Sequence, residues 1–245
     1  MRLLLVGGSG RVGSMVIPYL KTKHSIRILD IEPPVDSTLD FIEGSVTNPK
    51  IVQQALEGMD TFIYMVMKNP TSEISSVATF EDIVANHQVN VMGVHLFLHA
   101  ANEVGIKRGT YTSTFTVHER MRNHFPSEDE VPLKNPSVYG LTKGLGEKIC
   151  QYFCREHQMA ITALRITGPS TRSQWLERRT LPKSGPVHIW WTDEEDLANA
   201  YLAALSSNHL GFEAFFIAGD EEQKEINLSK ASLLLGWKPL THNQL

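Results

Sequence analysis

The sequence is short of cysteine, of surplus charge and of long apolar runs, and each shortage removes a class of protein. Of 245 residues only two are cysteine, Cys150 and Cys154. One helix-spaced pair cannot build a disulfide framework, so the two are expected as core thiols and a reducing cytoplasm as the compartment. No apolar run nears the ~18 residues that read as a membrane span. The opening Met1-Arg2-Leu3-Leu4-Leu5-Val6 is too short for the ~7–15-residue core of a secretory signal. Basic side chains do not outnumber acidic ones: 23 Lys+Arg against 27 Asp+Glu leave a net charge of −4. That balance argues against a nucleic-acid groove. His118 and His124 with their neighbouring acids lack metal-ligand spacing, so no metal is expected. Internal repeats, long linkers and low-complexity stretches are also missing. A chain of this length buries roughly 70–75% of its unfolded surface and needs no covalent staple.

What is present is an alternation of strands and helices. Leu3-Leu4-Leu5-Val6, apolar on both faces, reads as a buried strand. A helix follows with Val12, Met15, Val16, Tyr19 and Leu20 on one side, and Pro18 should kink it or end it early. Ser25–Asp30 is a second strand, closed off before Pro33-Pro34. Phe41-Ile42 suggests a third, 51–56 a short helix, and the β-branched and aromatic run Thr61–Val66 a fourth strand. Residues 67–79 read as loop. From Phe80 to Val104 runs one long helical pattern whose apolar face takes Ile83, Val84, Val91, Val94, Leu98 and Ala101. Thr110–Ser113 is a fifth strand, 119–135 a charged loop, and Ser137–His157 a helix. Ile161–Ile166 is a sixth strand; 168–187 shows no periodicity. Trp190 and Trp191 should alternate across a strand, Glu194–Leu205 is helical and Phe215–Ile217 a late strand. This order predicts a parallel sheet covered on both faces.

The first strand meets the first helix at Gly7-Gly8-Ser9-Gly10-Arg11-Val12-Gly13. Glycines at 7, 10 and 13 let the chain turn tightly and let a pyrophosphate approach the backbone. The helix N-terminus then offers free N–H groups and the positive end of a dipole. Asp30, at the end of the second strand, stands near the ~20-residue offset at which an acid meets the adenosine ribose. Its carboxylate accepts from the 2′- and 3′-hydroxyls and repels a 2′-phosphate, which favours NAD. Arg11 inside the turn is the residue that could instead pair with the 2′-phosphate of NADP.

Tyr139 and Lys143 stand four apart and share one face of a helix. A tyrosine with a reference pKa near 10 is a poor base at neutral pH. A neighbouring ammonium lowers that value, and the same lysine can hold ribose hydroxyls.

With these motifs the sequence resembles the extended short-chain dehydrogenase/reductase superfamily, in its NAD-dependent epimerase/dehydratase group. The likeness covers nearly the whole chain. It rests on the glycine turn with Arg11 and Val12, on Thr112–Val117, on Tyr139 and Lys143, and on Asn90-Val91-Met92-Gly93. Leu164-Arg165, Asp196-Leu197-Ala198 and Leu235-Gly236-Trp237-Lys238-Pro239 complete the set. The resemblance implies an α/β fold: a doubly wound parallel sheet of Rossmann type with a reduced C-terminal substrate-binding part. Residues 1–167 would form the dinucleotide-binding core, and 168–245 a small substrate part interleaved with it in one compact unit. It implies a catalytic hydroxyl on Thr114, with Ser113 as fallback, beside Tyr139 and Lys143. It places Asn90 among the cofactor-binding residues and leads to the expectation of a homodimer through the two long helices.

Three departures stand out. Gly44-Ser45 replaces the usual Gly-Asp after strand three, so adenine binding leans on backbone, Ser45 or Val46. Tyr64-Met65-Val66-Met67 replaces His-Leu-Ala-Ala, putting a bulky Met67 on the cofactor side of its loop. His118 replaces a tyrosine, and is read either as a partly exposed loop residue or as a substrate contact.

Longer members carry a substrate lobe after strand six, and 168–187 is too short for one. The uronate dehydrogenases are similar in this shortness, and in them an arginine from the segment grips the substrate carboxylate. Arg172, Arg178 and Arg179 are the candidates. The expected activity is hydride transfer from a hydroxyl carbon of a small sugar or sugar acid to NAD. An epimerase or dehydratase that returns the hydride is the alternative, and a dinucleotide sensor without turnover is the second.

Overall fold

The computed structural model describes residues 1–68, 78–118, 125, 127–128, 131, 133–180 and 191–240, with the backbone alone of Arg179 and Thr180. The expectations for His124 and Trp190 lie outside these residues, as does the side chain of Arg179. Seven strands form one parallel sheet: β1 (Arg2–Val6), β2 (Ser25–Asp30), β3 (Asp40–Glu43), β4 (Thr61–Tyr64), β5 (Arg108–Thr114), β6 (Ala160–Ile166) and β9 (Phe212–Ile217). Their order across the sheet is β3-β2-β1-β4-β5-β6-β9. A second, two-stranded parallel pair joins β7 (Pro169–Ser170) to β8 (Thr192–Asp193).

β1 shows why the sheet is covered on both faces. Successive side chains of a strand point to opposite sides. Leu3 and Leu5 enter one apolar core with α1 (Arg11–Leu20) and α7 (Glu194–Ser206). Leu4 and Val6 enter the other, with α2 (Pro49–Leu56), α4 (Gly93–Glu103) and α5 (Val138–His157). All four are fully buried. Each such side chain contributes about 1.5–3 kcal/mol by leaving water. Pro18 does shorten α1, which ends two residues later. Cys150 and Cys154 are free and buried.

Two expectations need correction. The run from Phe80 is α3 (Phe80–His87), then a π-helical turn over Gln88–Met92, then α4. Its first half buries Asp82, Asn86 and Asn90, not the predicted Ile83 and Val84, which are exposed. Hydrogen bonding decides this: Asn86 Nδ2 donates to the Asp82 carbonyl at 2.9 Å and Asn90 Nδ2 to Asn86 Oδ1 at 3.1 Å. The stretch after β6, read as aperiodic, contains β7 and α6 (Arg172–Thr180). α6 is strongly polar, so no apolar period marks it.

The strand order reverses between β1 and β4, and a ligand crevice is expected at their carboxyl ends. The turn after β1, the end of β2 and the segments after β4, β5 and β6 all gather there.

Candidate active site

Two glycines shape the turn after β1. Gly7 takes φ +81°, and a Cβ on it would stand 2.8 Å from the Val66 nitrogen. A Cβ on Gly13 would stand 2.0 Å from the Gly8 carbonyl oxygen. Neither position admits a side chain. Gly10 caps α1 without a side-chain hydrogen bond, so the first N–H groups of the helix face the crevice unclaimed by a cap. The Asp30 carboxylate accepts from the Ser9 N–H at 2.9 Å and the Ile31 N–H at 2.7 Å. These bonds hold it at the turn with lone pairs to spare for ribose hydroxyls. This cradle fits a dinucleotide: backbone donors for the pyrophosphate, and a carboxylate for the ribose.

The crevice has a volume of about 880 Å³. Gly7, Gly10, Arg11, Val12 and Asp30 line it on the side of the turn, with Ser45 and Val46 from the segment after β3. Ser45 Oγ is hydrogen-bonded to Thr47 Oγ1 at 2.8 Å, and Val46 is buried. Arg11 reaches across the mouth, donating to the Pro169 carbonyl at 2.8 Å.

On the other side stand Thr114, His118 and Tyr139. Ser137 caps α5, its hydroxyl accepting the Gly140 N–H at 3.0 Å, and so places Tyr139 in the first turn. The Tyr139 hydroxyl donates to Met67 Sδ at 3.6 Å. Burial pushes its pKa up to about 12, opposed by a hydrogen bond with Thr114. Thr114 lines the crevice beside Tyr139, and its Oγ1 accepts from the Thr116 N–H at 3.1 Å. Ser113, the fallback, points away from the crevice and donates to Glu147.

Lys143 is buried, and its Nζ lies 4.4 Å from the centroid of the Tyr111 ring. Burial pushes its pKa down to about 7, against the pull of nearby Cys150 and Glu147. It is not among the described residues lining the crevice.

Asn90, expected among the cofactor-binding residues, is engaged within the chain. Its Oδ1 accepts from the Lys68 N–H at 2.8 Å. Its Nδ2 donates to the Lys68 carbonyl at 3.0 Å and to Thr142 Oγ1 at 3.0 Å. The amide therefore fastens the segment after β4 to α5. The π turn brings it to that position; such turns often sit at functional sites.

Of the three arginines expected after β6, Arg172 and Arg178 are otherwise engaged. Arg172 pairs with Asp193 at 3.1 Å and Glu195 at 2.7 Å. Arg178 donates to Ser170 Oγ at 2.8 Å and stacks over Trp191, 3.3 Å from the ring centroid. Burial and the nearby Arg11 lower its pKa. Neither is among the described residues that line the crevice.

His118 is buried, at 3% exposure, and not a partly exposed loop residue. Its ring packs against Phe125 and Phe216, and its Nε2 faces Arg165 Nη1 at 3.2 Å. Arg165 and Glu147 form a fully buried pair, Nε to Oε1 at 3.0 Å and Nη2 to Oε2 at 2.8 Å. Sequence reasoning gave this network no role. A signal was there: an arginine inside the apolar strand Ala160–Ile166 demands a buried partner, and Glu147 shares a helix face with Lys143.

Residues 3–218 match the NAD dependent epimerase/dehydratase family. The chain belongs to that family and is an oxidoreductase of the short-chain dehydrogenase/reductase type. It is 24% identical to the NAD-dependent glucose-6-phosphate dehydrogenase of Haloferax volcanii, over 97% of this chain and 92% of that one. It is also 24% identical to the uronate dehydrogenase of Pseudomonas syringae pv. tomato, over 90% of this chain and 75% of that one. The solved structure of a glucuronic acid dehydrogenase from Chromohalobacter salexigens superposes with a TM-score of 0.80 at 22% identity, covering 99% of this chain and 85% of that one. Among the described residues no helix is long and apolar enough to cross a membrane.

Proposed function

We propose that the protein is an NAD-dependent dehydrogenase that oxidises a hydroxyl carbon of a small sugar or sugar acid. The observation that carries this is the single crevice shared by the glycine turn, Asp30, Thr114 and Tyr139. The bound nicotinamide supplies a hydride acceptor. Tyr139, as phenolate, takes the proton of the substrate hydroxyl, and Thr114 holds the same oxygen through a hydrogen bond. Lys143 stands one helical turn on from Tyr139, the position from which an ammonium would favour the phenolate and hold ribose hydroxyls. Asp30 favours NAD over NADP. Arg11 is turned towards Pro169, where it closes the mouth, and this supports the same preference. The part from residue 168 onward supplies the substrate side. Its shortness suits a small free substrate, in line with relatives named for uronate and glucose 6-phosphate.

The test is NADH formation from a panel of uronates, sugar phosphates and neutral aldoses. Tyr139→Phe is expected to keep NAD binding and to lose turnover by the roughly 10²–10⁴-fold typical of a general base. Full activity in that variant overturns the role of Tyr139. Epimerised sugar without net NADH overturns the dehydrogenase reading in favour of an epimerase.

The proposal extends to a cytoplasmic homodimer. On the outer face of the π turn, α4 and α5, Val91, His95, Ile149 and Tyr152 line a shallow, mostly apolar depression, and Met92 beside it is exposed. A second copy would cover it. Light scattering that returns the mass of one chain overturns the dimer.

A further inference from the structure

An anionic substrate needs a cation in the crevice, and two of the three arginines expected to supply it, Arg172 and Arg178, are engaged elsewhere. Arg172 is neutralised by two carboxylates. Arg178 lies over the Trp191 ring and bonds Ser170. Arg11 belongs to the glycine turn and bonds Pro169.

Lys68 is different. It is exposed and lines the crevice. Among the described residues its ammonium has neither an ion pair nor a hydrogen bond. It follows Met67, whose sulfur touches the Tyr139 hydroxyl, and consecutive Cα atoms are only about 3.8 Å apart. Its backbone is pinned at both N–H and C=O by Asn90, so the stem of the side chain starts from a fixed point. A fixed backbone carrying an unengaged cation on the wall of the crevice that also holds Tyr139 is the arrangement an anionic substrate requires. Asn90 thereby acts as a positioning residue.

We propose that Lys68 binds the anionic group, carboxylate or phosphate, of the sugar whose hydroxyl meets Tyr139. Lys68 then decides between acidic and neutral sugars. This rests on the dehydrogenase reading above and names its substrate class.

The test compares kcat/KM for a hexuronate, a hexose 6-phosphate and a neutral aldose, in the parent protein, Lys68→Gln and Lys68→Arg. The parent is expected to prefer one of the anions. Lys68→Gln should lower the ratio of anionic to neutral kcat/KM about tenfold to a hundredfold, chiefly through KM, as expected for a lost charge-assisted hydrogen bond. Lys68→Arg should restore most of it. The anion that suffers the larger drop separates carboxylate from phosphate. A parent that prefers the neutral aldose, or an unchanged ratio in Lys68→Gln, overturns the proposal. Calorimetric binding of the hexuronate and the hexose 6-phosphate to the NAD-loaded protein separates the two failures. No turnover of any sugar removes the dehydrogenase reading. Binding of both anions equal in the parent and Lys68→Gln, or absent from both, removes the role of Lys68.

Discussion

At the scale of single residues, the tyrosine is held in its weaker state. Burial raises the Tyr139 phenol to about 12, and the Thr114 hydrogen bond works against burial by favouring the phenolate. Phenolate is the working form, so kcat/KM for oxidation is expected to rise with pH through the alkaline range. Thr114→Val removes the opposing bond, leaves burial alone, and should move that rise to higher pH, while Thr114→Ser should keep it in place. The measurement is a pH profile of kcat/KM for the three proteins. An unmoved profile in Thr114→Val would mean that Thr114 does not hold the phenol. Ser113, tied to Glu147, serves the buried network with Arg165 and His118. Removing Glu147 would strand a buried arginine, the costly way to break such a pair.

At the scale of elements, packing overrides local pattern where polar side chains find partners. The stretch from Phe80 to Val104 reads as one apolar-faced helix, yet a column of Asp82, Asn86 and Asn90 turns inward and Ile83 and Val84 turn out. The partners that make this possible, Lys68 and Thr142, come from elsewhere in the chain. α7 shows a similar dependence. The Asp196 carboxylate accepts the Leu240 N–H at 2.6 Å, and the Trp237 indole donates to the Asp196 carbonyl at 2.9 Å, which docks the C-terminal segment on α7. Burial, with Asp193 and Glu195 nearby, raises the Asp196 pKa to about 7. An unfolded aspartate titrates near 4, so the folded state holds this proton more tightly than the unfolded chain. The contribution to stability is therefore full below about 4 and is lost as pH rises through about 7. Asp196→Asn keeps an acceptor for Leu240 and carries no charge. Its melting temperature should fall less than the parent's over that window. Parallel melting curves across the window would refute this account of Asp196.

At the scale of the whole molecule, much was legible from local pattern. Each strand of the large sheet has its counterpart in an apolar or β-branched run, although β4 stops at Tyr64, short of the predicted Val66. The alternation with helices was enough to predict a doubly wound parallel sheet. The glycine turn, Asp30 and Tyr139 could be picked out as candidates by their place relative to strand or helix, Thr114 by the family resemblance, and the structure gathers them on one crevice. Their chemistry is local: a positive φ, a helix N-terminus, a carboxylate at a strand end, a phenol in a first turn. The sequence by itself determined that framework and the kind of cofactor it suits. The tertiary structure alone decided the rest. Met67 meets Tyr139 across 72 positions, Asn90 meets Thr142 across 52, and Arg165 meets Glu147 across 18 and His118 across 47. Periodicity carries no information about which distant polar groups will share a low-dielectric interior. Only the packed sheet determines which cations are neutralised and which, like Lys68 among the described residues, are left without an ion pair.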